Sequence, residues 1–207
     1  MFLLDIHTHH PSAEGIRSLS PEAFVPTDNG YFSVGIHPWE AEKAGEREWE
    51  LLEQAIRHPS VLAIGEAGLD KITSADFLCQ QEMFIRQIRL SEVVEKPLVI
   101  HCVKAFNELI VLKRKYKPRM PWVVHGFRNN ANIGRQLLQE GIFFSLGEKY
   151  RPDVLSLLPS ERLLAETDES PVPIHIIIER MASAMGRDAD EVCRQIDKNA
   201  RNIFFRR

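Results

Sequence analysis

The feature that most constrains this chain is a regular alternation between short, nearly uninterrupted apolar runs and longer amphipathic stretches. The runs are Phe2–Ile6, Tyr31–Ile36, Val61–Ile64, Leu98–His101, Trp122–His125, Ile142–Leu146 and Arg162–Ala165. Most lack polar alternation, the signature of strands in a parallel sheet buried on both faces. Between them, Arg47–Arg57 opens with acidic residues and ends with basic ones, matching the helix dipole. Ser74 is placed to cap a long helix through about Glu95, with Pro97 behind it as a stop. Lys104–Tyr116 and Asn132–Gln139 read as further helices, the second followed by Gly141. Pro173–Met185 and Asp188–Asn199 read as a closing pair, with Gly186 between them and Asp188 as the second cap.

Strands alternating with helices in this way predict a TIM-like (β/α) barrel, a single domain over residues 1–207. The span from Pro11 to Gly30 offers no clear strand-plus-helix unit. A complete eight-unit barrel typically needs about 250 residues, so the expectation is a shortened or irregular barrel of about seven strands. Apolar residues at 44% and charged residues at 27% are ordinary globular usage and suit one sizeable core.

A formal charge of -3 gives no global electrostatic reason to expect nucleic-acid binding, although a local patch could still engage phosphates. Cys79, Cys102 and Cys193 form no CxxC pair, so neither a zinc ribbon nor a disulfide scaffold is readable, and reduced thiols are expected. The start, MFLLDIHTHH, has no basic segment, and its apolar run of four residues is too short for a signal peptide or a membrane span. A cytoplasmic location, no membrane association and no obligate protein partner are the default expectations.

The chemistry gathers where the predicted strands end. Side chains alternate across a strand, so Asp5, His7 and His9 project from one face. Two imidazoles so spaced can grip one metal, with Asp5 placed as an acceptor that fixes an imidazole tautomer. Taken alone, an HxH pair is weak. The pattern recurs, however, at His37, at Glu66 and Asp70, at His101, at His125 and at Glu166 to Asp168. In a parallel barrel every strand's C-terminal end lies on one rim, where barrel active sites sit, so these residues converge into a metal site.

The series DIHTHH, GIHPW, AIGEAGLD, VIHC, VHGF and ETDESP closely resembles the TatD-type metal-dependent deoxyribonuclease family, of the wider amidohydrolase-like superfamily. Gln81, Phe84 and Gln87, and Asn199 with Ile203 and Phe204, also fit its pattern, and the resemblance covers almost the whole chain. It implies that His7, His9, Glu66, His101, His125 and Asp168 bind two divalent ions, Zn²⁺, Mg²⁺ or Mn²⁺. Glu66 would bridge the ions, and Asp168 would be both ligand and general base for the attacking water. The donor set suits such ions, and two of them can activate water and neutralise a leaving oxygen.

Two departures bear on substrate. Where the family carries an HxRxA pattern, this chain reads His101-Cys102-Val103-Lys104-Ala105, and its small-residue turn after HxF is here Arg128-Asn129-Asn130. A phosphate clamp is therefore rebuilt with Lys104 and Arg128 or lost. His37 is a substrate-side residue by resemblance, or a structural cap beside Pro38. Trp39 could stack on a base, or could simply cover the barrel mouth. Lys71, Lys149 and Arg151 also follow strand ends. The basic run from Lys113 to Arg119 closes a helix and reads as a solvated, dipole-matched end. His10 is expected to point away from the ligand pair, and Cys102 into packing. The expected activity is phosphodiester hydrolysis of DNA, with a small-molecule ester, amide or phosphomonoester as the alternative substrate. A barrel kept only for binding is a third reading, opposed by the completeness of the ligand set.

Overall fold

The structure, a computed structural model, describes residues 4–11, 14–27 and 29–205. Among these are eight strands: β1 (Asp5–Thr8), β2 (Gly15–Leu19), β3 (Tyr31–Val34), β4 (Val61–Asp70), β5 (Leu98–Val103), β6 (Trp122–Val124), β7 (Phe143–Leu146) and β8 (Leu163–Ala165). The α-helices among them are α1 (Glu46–Ala55), α2 (Phe77–Val94), α3 (Phe106–Tyr116), α4 (Ala131–Gln139), α5 (Pro152–Leu155), α6 (Ile174–Met185) and α7 (Ala189–Phe204). Strands follow one another β1 to β8 in the order of a closed barrel, the expected TIM-like class, with eight strands rather than about seven. Phe2 and Leu3, with which the first predicted run opens, lie outside the described residues.

The additional strand is β2. Its sequence GIRSL buries Ile16 and Ser18 while Arg17 and Leu19 stay partly open, so it never forms an apolar run. Gly15 opens it for a steric reason: a Cβ there would come 2.5 Å from the Asp5 carbonyl oxygen. No helix lies between β1 and β2 or between β2 and β3 among the described residues, which is why this stretch gives no strand-plus-helix signal.

Contacts group the chain into two compact units, Met1–Arg17 with Val124–Arg207, and Ser18–Val123. In the first, β1 runs parallel to β2 and β8, with Asp5 opposite both Gly15 and Ala165, and β7 runs parallel to β8. Its core includes Ile6, Ile16, Phe144, Leu164, Ile177 and Ile196, all fully buried. Asp188 caps α7 by accepting from Glu191 N at 3.0 Å, as expected. Asn199 of α7 is buried and donates to the carbonyls of Ser160 and Leu163, fastening the helix to the start of β8.

In the second unit β4 pairs in parallel with β3 and β5, and all ten of its residues are buried. The strand continues through GEAGLD to Asp70, well beyond the Ile64 end read from the sequence. Gly68 makes this possible, since its φ of +148° and the carbonyl of His101 beside it leave no room for a side chain. Helix α2 is capped by Asp76, whose carboxylate accepts from Cys79 N at 2.9 Å, not by Ser74. Lys113, Arg114 and Lys115 lie in the last turn of α3, the dipole-matched end expected of them. No helix among the described residues is long and apolar enough to cross a membrane.

Candidate metal centre

Each unit carries its own group of potential ligands at its strand ends. In the first, His7, His125 and Asp168 offer ligand atoms that lie within 4.8 Å of one another. His7 is fully buried at the end of β1, while Asp168 follows β8 and is 23% exposed. Its Oδ1 stands 3.8 Å from Nε2 of both His7 and His9, too far for hydrogen bonds and suited to sharing an ion. The backbone fixes this arrangement: Asp168 N donates to His7 O at 3.0 Å, and His9 N donates to Asp168 O at 3.1 Å. Asp168 takes φ +56°, a left-handed conformation that Asp tolerates better than most residues.

Thr167 braces that turn. Its N–H and hydroxyl donate to the two oxygens of Asp5 at 3.0 and 2.7 Å, and its hydroxyl lies 2.8 Å from that of Thr8. Burial pushes the Asp5 carboxyl up to about 7, against the pull of the Thr167 hydrogen bonds. Asp5 therefore holds Thr167, and through it Asp168, rather than an imidazole tautomer as its strand position suggested. The acid that faces an imidazole in this unit is instead Glu166, fully buried, whose Oε1 is 3.5 Å from His125 Nδ1. Arg128 is half exposed and brings Nη2 to 3.6 Å from Asp168 Oδ2, so it shares the neighbourhood of the proposed base.

In the second unit His37, Glu66 and His101 form the corresponding group, again within 4.8 Å. Glu66 Oε1 is 2.8 Å from His101 Nδ1 and 3.3 Å from His37 Nε2. The other nitrogen of His101 meets Asp70 Oδ2 at 3.0 Å. Asp70 also accepts from Trp39 Nε1 at 2.7 Å and from Ile72 N at 2.9 Å. Its burial pushes the carboxyl up, but these hydrogen bonds outweigh it and hold Asp70 below the ordinary range. His101 is thus oriented so that Nδ1 faces the Glu66 carboxylate.

Two glutamines of α2 anchor these strand ends. Gln87 is fully buried and bonds both the N–H and the carbonyl of Ile36, at 2.9 and 3.0 Å, fixing the residue before His37. Gln80 does the same for Asp70, at 2.7 and 3.0 Å. Gln80, and not the neighbouring Gln81 of the quoted pattern, is the one that is buried. The signal lies in the sequence: Gln80, Gln87 and Ser91 share a buried helix face with Phe84, polar residues where apolar ones belong.

The cations predicted for the rim divide. Lys71 is drawn to Glu108 at 2.5 Å and Arg151 to Asp153 at 3.0 Å, while Lys104 and Lys149 are exposed. His10 Nε2 bonds Ser170 O at 2.9 Å, and His175 is exposed in the first turn of α6. Burial pushes the Cys102 thiol up to about 12, leaving it no tendency to act as a thiolate ligand. A cavity of about 160 Å³ beside His37 is lined by Glu22, Glu40 and Glu48 against one ammonium, Lys43, which is already paired with Glu40. Such a lining repels phosphate.

Compared with known proteins, residues 16–205 match the family described as TatD related DNase. The chain is 29% identical over 199 residues to the 3'-5' ssDNA/RNA exonuclease TatD of Edwardsiella piscicida, covering 83% of this chain and 76% of that one. It is 26% identical over 196 residues to the uncharacterized metal-dependent hydrolase YabD of Bacillus subtilis, covering 84% and 77%. Among solved structures, the TatD homolog YJJV of Escherichia coli superposes with a TM-score of 0.87 at 23% identity, over 99% of this chain and 98% of that one. A TatD family hydrolase of Entamoeba histolytica gives 0.77 at 17% identity, over the same shares.

Proposed function

The chain belongs to the TatD related DNase family, and from that membership and its strand-end ligands we propose that this metal-dependent hydrolase cleaves phosphodiester bonds of single-stranded nucleic acid. The observation that carries the reading is the pair of ligand groups, His7, His125 and Asp168 in one unit and His37, Glu66 and His101 in the other. Their donors are imidazoles and carboxylates without a thiolate, which fits Zn²⁺, Mn²⁺ or Mg²⁺. The ligands proposed are His7, His9, His125 and Asp168 together with Glu66 and His101, for two divalent ions. Bound divalent ions would lower the pKa of the attacking water and screen the phosphate charge.

The chain's own residues do the rest. Asp168 is held by backbone hydrogen bonds to His7 and His9 and is 23% exposed, so its carboxylate is available to take the proton of an attacking water. Arg128 stands on the same side, where its guanidinium serves as a phosphate contact once substrate draws it from Asp168. Lys104, at the end of β5, is the second cation proposed to contact substrate. His37 is proposed to lie on the substrate side of the Glu66 group. Free thiols at all three cysteines accord with a cytoplasmic setting, which belongs to the same proposal.

Cleavage of a labelled single-stranded oligonucleotide with Mg²⁺, Mn²⁺ or Zn²⁺, beside an Asp168→Asn control, tests the reading. Metal-dependent cleavage that disappears in the variant is the expected result. No cleavage by protein that holds metal overturns it and moves the assignment to a small ester, amide or phosphomonoester. One observation favours that second reading: the acid-lined cavity beside His37, which admits a neutral or cationic group but not a phosphate backbone.

A further inference from the structure

Trp39 stands apart from the other tryptophans. Trp122 is fully buried and Trp49 has the Arg86 guanidinium 4.1 Å from its ring centroid, whereas Trp39 is 54% exposed. An indole left in water is unusual enough to need a reason when its position is so tightly fixed. Its Nε1 donates to the buried Asp70 carboxylate at 2.7 Å, and its backbone N–H donates to His37 Nδ1 at 3.2 Å. Pro38 starts the single 3-10 turn that carries it. The ring is therefore immobilised in advance, with little further entropy to lose on meeting a ligand.

Its contacts locate it beside the proposed chemistry. The indole meets His37 at 4.7 Å between centroids and His101 at 5.9 Å, in both cases near perpendicular. Neither histidine lies parallel to the indole, and Trp39 keeps over half of its surface open to solvent beside them. A planar, neutral, rigid surface next to a carboxylate–imidazole group is suited to a flat aromatic ligand, not to a phosphate.

We propose that Trp39 is a stacking platform for an unpaired base of the nucleic-acid strand whose phosphodiester is presented to the His37, Glu66 and His101 group. The inference rests on the nuclease reading and adds to it a basis for choosing substrates. Stacking accepts any base, because every base has a π face, but it requires the base to be unstacked from a neighbour. Single strands with bases are then favoured over duplexes and over strands from which the base has been removed.

The test uses the metal-loaded full chain and two labelled oligonucleotides, identical except that one carries tetrahydrofuran abasic sites. KM and kcat are measured for the natural protein, for Trp39→Ala and for Trp39→Phe. The natural protein is expected to favour the base-bearing strand by about 5- to 150-fold in KM, the range for one stacked base. Trp39→Ala loses that preference, and Trp39→Phe retains most of it although both variants lose the N–H donated to Asp70. Comparing two strands within each variant removes any general loss of folded or active protein. Phe behaving like Ala overturns the proposal and assigns Trp39 to holding Asp70. Equal cleavage of both strands by the natural protein overturns the stacking role while the nuclease reading stands. Cleavage of neither strand overturns both.

Discussion

Single side chains decide how this centre is tuned. The Glu166 side chain is fully buried, its carboxyl oxygens make no hydrogen bond among the described residues, and Oε1 lies 3.5 Å from His125 Nδ1. An acidic side chain so placed faces Nδ1 and leaves the Nε2 side of the ring for an ion. Glu166→Leu is expected to weaken divalent-metal affinity by about 10- to 100-fold, measured by competition with a chromophoric chelator, while Glu166→Gln loses less. Unchanged affinity in the leucine variant would remove Glu166 from the site. Thr167→Val keeps shape but deletes the hydroxyl shared with Asp5 and Thr8. It is expected to lower stability by about 1–3 kcal/mol, read from urea midpoints. The strand-end histidines were legible in the sequence because an HxH needs only a strand to align it. The roles of Thr167 and Asp70 were not, because each depends on a partner far away in the chain: Asp5 lies 162 positions from Thr167, and His101 lies 31 from Asp70.

At the scale of elements, α2 works as a ruler laid against two strand ends. Gln80 and Gln87 bond the backbone N–H and carbonyl groups of Asp70 and Ile36. Gln87→Leu leaves the N–H and carbonyl of Ile36 buried and unsatisfied, each costing about 1–3 kcal/mol. The expected outcome is a clear fall in the urea midpoint with a raised KM, since Ile36 precedes His37. A change in neither would show that the strand end is held by other contacts. Most elements could be read from apolar periodicity, but β2 could not. Its five residues include a glycine, an arginine and a serine, and it is recognisable only beside β1, where Gly15 must pass the Asp5 carbonyl. The cap of α2 was misplaced for a related reason. Ser74 and Asp76 are both good caps, and the choice depends on where the chain leaves β4.

For the whole molecule, the family match runs from residue 16 to residue 205 and so spans both compact units, whose limits fall inside β2 and β6. We propose that residues 1–207 unfold as one domain. A single calorimetric transition is expected, and two separated transitions would contradict it. Lys96 contributes to its pH dependence at the alkaline end. Lys96 donates to the carbonyls of Ile56, His58 and Val61, and burial pushes its ammonium down to about 8. The unfolded chain holds that proton up to about 10.4, so between those values it binds more protons than the folded chain. Stability contributed by this group therefore rises as pH climbs from about 8 to about 10. The melting temperature of Lys96→Met is expected to lack that rise relative to the unmodified protein, and parallel curves would rule it out.

The pairing of the first strand with the last also sets a schedule. A ribosome delivers His7 and His9 early, yet Thr167 and Asp168 emerge only after 162 positions separate Asp5 from its partner. At about 5–20 residues per second, translation leaves roughly 8–32 seconds in which the histidines lack Asp168. The group of His7, His125 and Asp168 is thus completed only once β8 has followed the seven strands before it.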